Sequence, residues 1–230
     1  MCKIDDLVID YQVQYDFQQQ MYLEMEYCSK GDLFEYVKTK GRLSLDEIKT
    51  KFHQIVSGVS FLHEMGWAHR DLSLENILID KNGICKLCDF GLVMCKIGLE
   101  RKTVGKKRYM APEIASLDKV YSAETIDTWS LGVILFILLI DLFPFTEPTD
   151  NCQRFQYFRK FGLRSLIAKA KTAPIVSNRA MDLLVQMLQI DPKSRISVEE
   201  ILKHPFFLVV NTLILLNDLS TLPDRHLSHR

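Results

Sequence analysis

Ala68-His69-Arg70-Asp71-Leu72-Ser73-Leu74-Glu75-Asn76-Ile77-Leu78-Ile79, followed by Ile84-Cys85-Lys86-Leu87-Cys88-Asp89-Phe90-Gly91, is the stretch on which the reading of this chain turns. Asp71 and Asn76, five residues apart, fall on a short loop, and Asp89 ends a strand-like run. Phosphoryl transfer needs a carboxylate to orient an attacking hydroxyl and oxygen ligands to hold magnesium against phosphates. Asp71 suits the first task, Asn76 and Asp89 the second. A lone His-Arg-Asp would carry little, because most such tripeptides are ordinary turn or surface sequence.

More segments follow in a fixed order. Met25-Glu26-Tyr27-Cys28 precedes Gly31-Asp32-Leu33-Phe34; Ala111-Pro112-Glu113, Asp127-Thr128-Trp129-Ser130-Leu131-Gly132 and Asp191-Pro192-Lys193-Ser194-Arg195-Ile196 lie downstream. With these in register the chain resembles a eukaryotic-type protein kinase domain. It is similar to the Ser/Thr type and, through Gly31 to Phe34, to the calcium/calmodulin-dependent group. The register leaves no room for an unrelated helical protein.

The resemblance implies an α+β fold, with a nearly complete helical C-lobe and a remnant of the N-lobe β-sheet. Residues 1–207 would form the kinase domain, with a hinge near 25–31, and residues 208–230 a C-terminal tail. It implies ATP and Mg2+ as cofactors and a protein as substrate, phosphorylated on Ser or Thr. Asp71 would be catalytic, and Asn76 and Asp89 would be the metal ligands. Adenine would meet the backbone of Glu26 and Cys28, with Met25 behind the pocket, Leu78 as its floor and Asp32 reaching the ribose. Asp127 would bond catalytic-loop N–H groups, and Arg195 would pair with Glu113. Thr103 would be the regulatory phosphosite, with Arg70 as the partner of its phosphate.

Three departures from the pattern stand out. No glycine-rich phosphate loop and no Val-Ala-x-Lys strand precede Glu26, and Lys3 lies in no such context. The expectation is therefore a kinase short of most of its N-lobe, and the competing one is a catalytically impaired pseudokinase fragment acting as a binding module. Ser73 stands two residues after Asp71, where the Ser/Thr family places a lysine. Lys106 stands where it places a threonine ahead of Ala111-Pro112-Glu113. Lys106 is accordingly a catalytic candidate that replaces the absent cation. The plainer expectation has it solvated with Arg101, Lys102, Lys107 and Arg108.

Composition sets wider bounds. The chain has 230 residues, 47% hydrophobic and 25% charged, which is ample for a buried core. Lys plus Arg is 29 and Asp plus Glu is 29, so overall charge argues for neither nucleic acid nor membrane as a partner. The six cysteines, without a signal-peptide pattern at Met1 to Asp6, read as thiols of an intracellular protein, cytoplasmic or nuclear. Leu131 to Ile140 is apolar but too short to span a bilayer, which needs about 20 residues, so it reads as a buried helix. Cys85 and Cys88 on a strand would face opposite ways and read as semi-buried thiols.

Local signals outline the elements. Residues 8–14 and 21–26 read as two strands and Asp32 to Val37 as a short helix. Ser44 with Glu47 has the form of a capping box, ahead of a helical apolar stripe at Ile48, Phe52, Ile55, Val56, Val59 and Leu62. Helices are expected at 124–140, 177–189 and 197–203, the last opened by a second box, Ser197 with Glu200. The apolar tail from Phe206 reads as a short helix docked on the C-lobe.

Overall fold

Val, Tyr, Leu and Met crowd the N-terminal stretch, residue types that suit pleated backbone, and there the chain forms a hairpin. Strand β1 (Tyr11–Tyr15) pairs antiparallel with β2 (Met21–Met25), Val13 opposite Leu23. Both strands are exposed along their length, so the hairpin stands clear of the core. The structure, a computed structural model, describes residues 7–16, 20–95, 99–100, 103–115, 121–169 and 176–208. The docked tail expected beyond Leu208 lies outside these residues, as do Arg101 and Lys102 of the basic loop.

Past Gly31 the described chain is mainly helical. Asp32 caps α1 (Leu33–Lys40), its Oδ1 accepting from the Glu35 N–H at 2.9 Å. Ser44 opens α2 (Leu45–Glu64) by accepting from the Glu47 N–H. Only half of the expected box forms, however. The Glu47 carboxylate accepts instead from Lys40 Nζ and the Tyr36 hydroxyl, each at 2.8 Å, because a charged donor outbids the backbone N–H of Ser44. The stripe from Ile48 to Leu62 is buried as its period requires, and Phe52, Ile55, Val56 and Val59 are fully so. Each such side chain contributes roughly 1.5–3 kcal/mol.

Short strands and loops follow α2. β3 (Trp67–Ala68) leads into the Asp71 loop, and β4 (Ile77–Ile79) pairs antiparallel with β5 (Cys85–Leu87). β6 (Met94–Cys95) returns to β3, and β7 (Leu99–Glu100) pairs across α3 (Pro112–Ala115) with β8 (Tyr121–Ser122). Then come α4 (Ala123–Ile140), α5 (Gln153–Ala168), α6 (Asn178–Met187) and α7 (Val198–Lys203). Ser197 and Glu200 form the full reciprocal box at α7.

The core wraps α4. This helix is long and apolar enough to cross a membrane by composition, yet 89% of it is buried among α2, α6 and the loops. A Cβ added to Gly132 would lie 2.8 Å from the Leu188 side chain just past α6, so glycine is what lets the two segments approach. Cys85 and Cys88 are more deeply buried than their spacing alone predicts. Burial pushes the Cys85 thiol up to about 12. Cys28, Cys85, Cys88, Cys95 and Cys152 are free thiols.

Candidate active site

The site begins with Asp127, a fully buried carboxylate on α4. Its Oδ2 accepts from the His69 N–H and from His63 Nε2, and its Oδ1 from the Arg70 N–H, each at 2.8 Å. A charge in the core survives only when so bonded, and here it pins two consecutive residues of the loop. Arg70 has a φ of 66°, a left-handed conformation unusual for a residue with a Cβ. The two bonds to Asp127 hold it there. His69 Nδ1 accepts from the Asp71 N–H at 3.3 Å, and its Nε2–H donates to the Cys88 carbonyl at 3.0 Å. The imidazole is the brace between the Asp71 loop and the Asp89 loop, and Phe90 packs on its ring at 5.3 Å.

Asp71 and Asn76 are brought together as their spacing predicts. Asn76 Nδ2 donates to the Asp71 carbonyl at 2.8 Å and to Asp71 Oδ2 at 3.0 Å. Both amide hydrogens thus face Asp71, and the carboxamide oxygen is the end left for a cation. The Cys88 N–H donates to the Asn76 carbonyl at 3.1 Å, so the backbone joins Asp89 to the same loop. Asp89 has a φ of 63°, is exposed, and accepts from the Gly91 N–H at 3.4 Å. Lys106 enters from the segment ahead of α3. Its backbone N–H donates to Asp71 Oδ1 at 3.2 Å, and its Nζ to Ser73 Oγ at 2.7 Å and to Asn76 Oδ1 at 3.3 Å. Its ammonium is turned inward, against the plainer expectation of a solvated side chain.

Of the residues expected to meet adenine, Cys28 and Leu78 lie together. Ile9, Cys28 and Cys88 form a small apolar cluster apart from the main core, with Leu78 and Phe90 packed against it. Burial raises both thiols, Cys88 to about 11, which keeps this surface neutral. The Glu26 N–H donates to the Asp10 carbonyl, and its carboxylate accepts from the buried Lys86 at 2.7 Å. Met25 is half exposed at the end of β2. One oxygen of Asp32 caps α1, as described above.

Asn76 and Asp89 offer hard side-chain oxygens of the kind that Mg2+ takes. The Lys106 ammonium donates to Asn76 Oδ1, so a metal cation at that oxygen would take its place there. Among the described residues no group of three or more His, Cys, Asp or Glu side chains could hold a metal alone, and a site completed by phosphate oxygens needs none.

Farther out, Arg195 and Glu113 form a buried, two-bonded ion pair at 2.5 and 2.6 Å, the expected tie between α3 and the helical core. Thr103 is exposed. Arg70, however, already donates to the Leu92 carbonyl at 2.7 Å and to Met94 Sδ at 3.2 Å, so a phosphate on Thr103 would have to compete for it.

Two residues that shape the site escaped sequence reasoning. His63 lies on the buried stripe of α2, and a titratable group on an apolar face was its signal. Gly105, at φ 80°, brings its Cα so close to the catalytic loop that an added Cβ would lie 2.8 Å from the Arg70 carbonyl; a glycine ahead of Lys106 was its only mark.

Comparison with known proteins gives the family. The protein kinase domain matches residues 2–207. The chain is 40% identical over 190 residues to maternal embryonic leucine zipper kinase of Danio rerio, covering 81% of this chain and 27% of that protein. It is 40% identical over 189 residues to serine/threonine protein kinase OSK3 of Oryza sativa subsp. indica, covering 81% and 35%. Serine/threonine-protein kinase SAPK9 of Oryza sativa subsp. japonica is 38% identical over 191 residues, covering 80% and 51%. The chain spans from about a quarter to half the length of these relatives. From the braced Asp71 loop, the Glu113–Arg195 tie and these matches together, the chain belongs to the protein kinase family, with Ser/Thr kinases as relatives.

Proposed function

We propose that the chain transfers the γ-phosphoryl group of ATP to serine or threonine hydroxyls of proteins. The observation that carries this reading is Asp71 held between the Asn76 amide and the Lys106 N–H, with the Asp89 loop bonded to both sides of it. Asp71 is aimed to accept the substrate hydroxyl proton, and its two anchored oxygens keep that aim fixed. Mg2+, held by Asn76 and Asp89, would neutralise the phosphate oxygens. The Glu26 carbonyl and the Cys28 N–H would read adenine above Leu78, with Met25 behind it and the free oxygen of Asp32 toward the ribose. Residues 1–207 would be the catalytic unit and 208–230 a tail to it.

Incubating the chain with labelled ATP, Mg2+ and a degenerate serine/threonine/tyrosine peptide mixture tests the proposal. Wild type is expected to label serine and threonine. Asp71→Asn should lose at least about a hundredfold in rate with an unchanged melting temperature. Equal labelling by both proteins would sink the assignment of Asp71, and label confined to tyrosine would sink the substrate class.

A second reading, a binding module of impaired catalysis, has one observation in its favour. Residues 7–25 hold neither glycine nor lysine, so this stretch itself offers no glycine cradle and no lysine to the phosphates. Under that reading the same assay yields no label while nucleotide or a protein partner still binds.

A further inference from the structure

We infer that Lys106 is the cation that meets the transferred phosphoryl group, so that in this chain the charge comes from the segment ahead of α3 and not from the catalytic loop. The inference rests on the phosphotransfer reading above and adds to it a residue and the element that delivers it. Ser73 is fully buried and uncharged, two residues past Asp71. The Lys106 ammonium fills the space beside it, 2.7 Å from Ser73 Oγ and 3.3 Å from Asn76 Oδ1, with Glu75 3.6 Å away on the outer side. Its own backbone N–H is bonded to Asp71. The ammonium thus stands beside the oxygen suited to the metal, on a residue whose backbone N–H bonds the carboxylate that takes the proton, so a γ-phosphate served by both must come within its reach.

Two features deliver the charge to that point. Gly105 allows the segment to touch the Arg70 carbonyl, at a distance no side chain would tolerate. Ser73 gives the ammonium a neutral acceptor, and a second cation at that position would repel it. The side chain remains 39% accessible, enough for a ligand to reach its head.

In the step itself the substrate hydroxyl oxygen bonds to the γ-phosphorus and its proton passes to Asp71. The bond from that phosphorus to the β–γ bridging oxygen breaks, and the electron pair leaves on ADP. Lys106 stays protonated throughout and neutralises charge on the equatorial phosphate oxygens.

The test compares wild type, Lys106→Met, Lys107→Met and the double exchange Ser73→Lys with Lys106→Thr, each checked for an unchanged melting temperature. Calorimetry with Mg·ATP and Mg·ADP reads the contact without requiring turnover. Lys106→Met should lower the preference for ATP over ADP about fivefold and turnover on the peptide mixture about a hundredfold. Lys107, whose head is exposed beside Glu147, should be silent. The double exchange, which returns the cation from the loop side, should restore both quantities to within about tenfold of wild type. If wild type prefers ATP through Lys106 yet labels nothing, the phosphotransfer reading fails and the phosphate contact stands. If wild type shows no preference for ATP, or Lys106→Met keeps both preference and turnover, the inference is overturned.

Discussion

Gly105 shows how little of a side chain the site tolerates. Its φ of 80° strains any other residue, and an added Cβ would meet the Arg70 carbonyl at 2.8 Å. Gly105→Ala is expected to cost about 1–3 kcal/mol in backbone strain alone, and the segment should relieve it by lifting from the loop. Lys106 would move with it, so turnover should fall well beyond what the melting temperature indicates. A peptide-labelling assay beside a thermal melt checks this; full turnover with a normal melt would show that the seam is loose. At this scale the sequence was informative where chemistry depends on spacing. Asp71, Asn76 and Asp89 could be named because their types, order and spacing match the signatures of the protein kinase family. Lys106 was ambiguous because the direction of a loop side chain is set by what it touches, here Ser73 and Asn76, 30 or more residues away in the chain. Glu26 and Asp32 were named for ligand contacts, yet each also has a protein partner that motif spacing does not reveal, Lys86 and the Glu35 N–H.

Among the elements, the helices opened by a side-chain cap were legible, and uncapped α4 was legible from its apolar run, but uncapped α5 was not. Ser44, Ser177 and Ser197 each accept from an N–H three residues on, and their helices begin where those serines predict. α5 has Cys152 at its start with no side-chain cap bond and is broken at Gly162, where φ is 78°. Its apolar residues are interleaved with Arg and Lys, so neither its period nor its ends could be read. The α2 helix carries a pH response. His53 meets the Phe207 ring edge-on at 5.2 Å, and burial lowers its affinity for a proton below the ordinary value of 6.5. The unfolded chain therefore takes up a proton below pH 6.5 that the folded one resists. The contribution is fully present above that value and is lost as pH falls through the lower folded one. Melting temperature should drop between about pH 7.5 and about pH 5.5, and the drop should shrink in His53→Leu. An identical drop in the variant would assign the acid response to other groups.

For the molecule as a whole, the α+β architecture was legible because the motif segments keep the order of the protein kinase family, which also put the apolar run of α4 in a core. The β1–β2 hairpin was legible as strands, but its full exposure was not, since burial depends on what packs beside an element. The helical part is tied by Arg195, which bonds Glu113 and also the carbonyls of Gln189, Thr125 and Ile190. Arg195→Ala would leave Glu113 charged in a buried site, at a cost of roughly 3–5 kcal/mol. The variant should melt lower than any single substitution in the catalytic loop, Asp71→Asn included. Coincident melting curves for wild type and Arg195→Ala would refute that ranking.

That same pair joins residues 82 positions apart. On a ribosome adding about 5–20 residues per second, Glu113 emerges roughly 4–16 s before the arginine that will neutralise it. The Asp71 loop and its Asp127 anchor have left by then, so the reactive face of the molecule is synthesised before the bond that secures it. A nascent chain halted between Asp127 and Arg195 carries every residue named for catalysis and lacks the clasp.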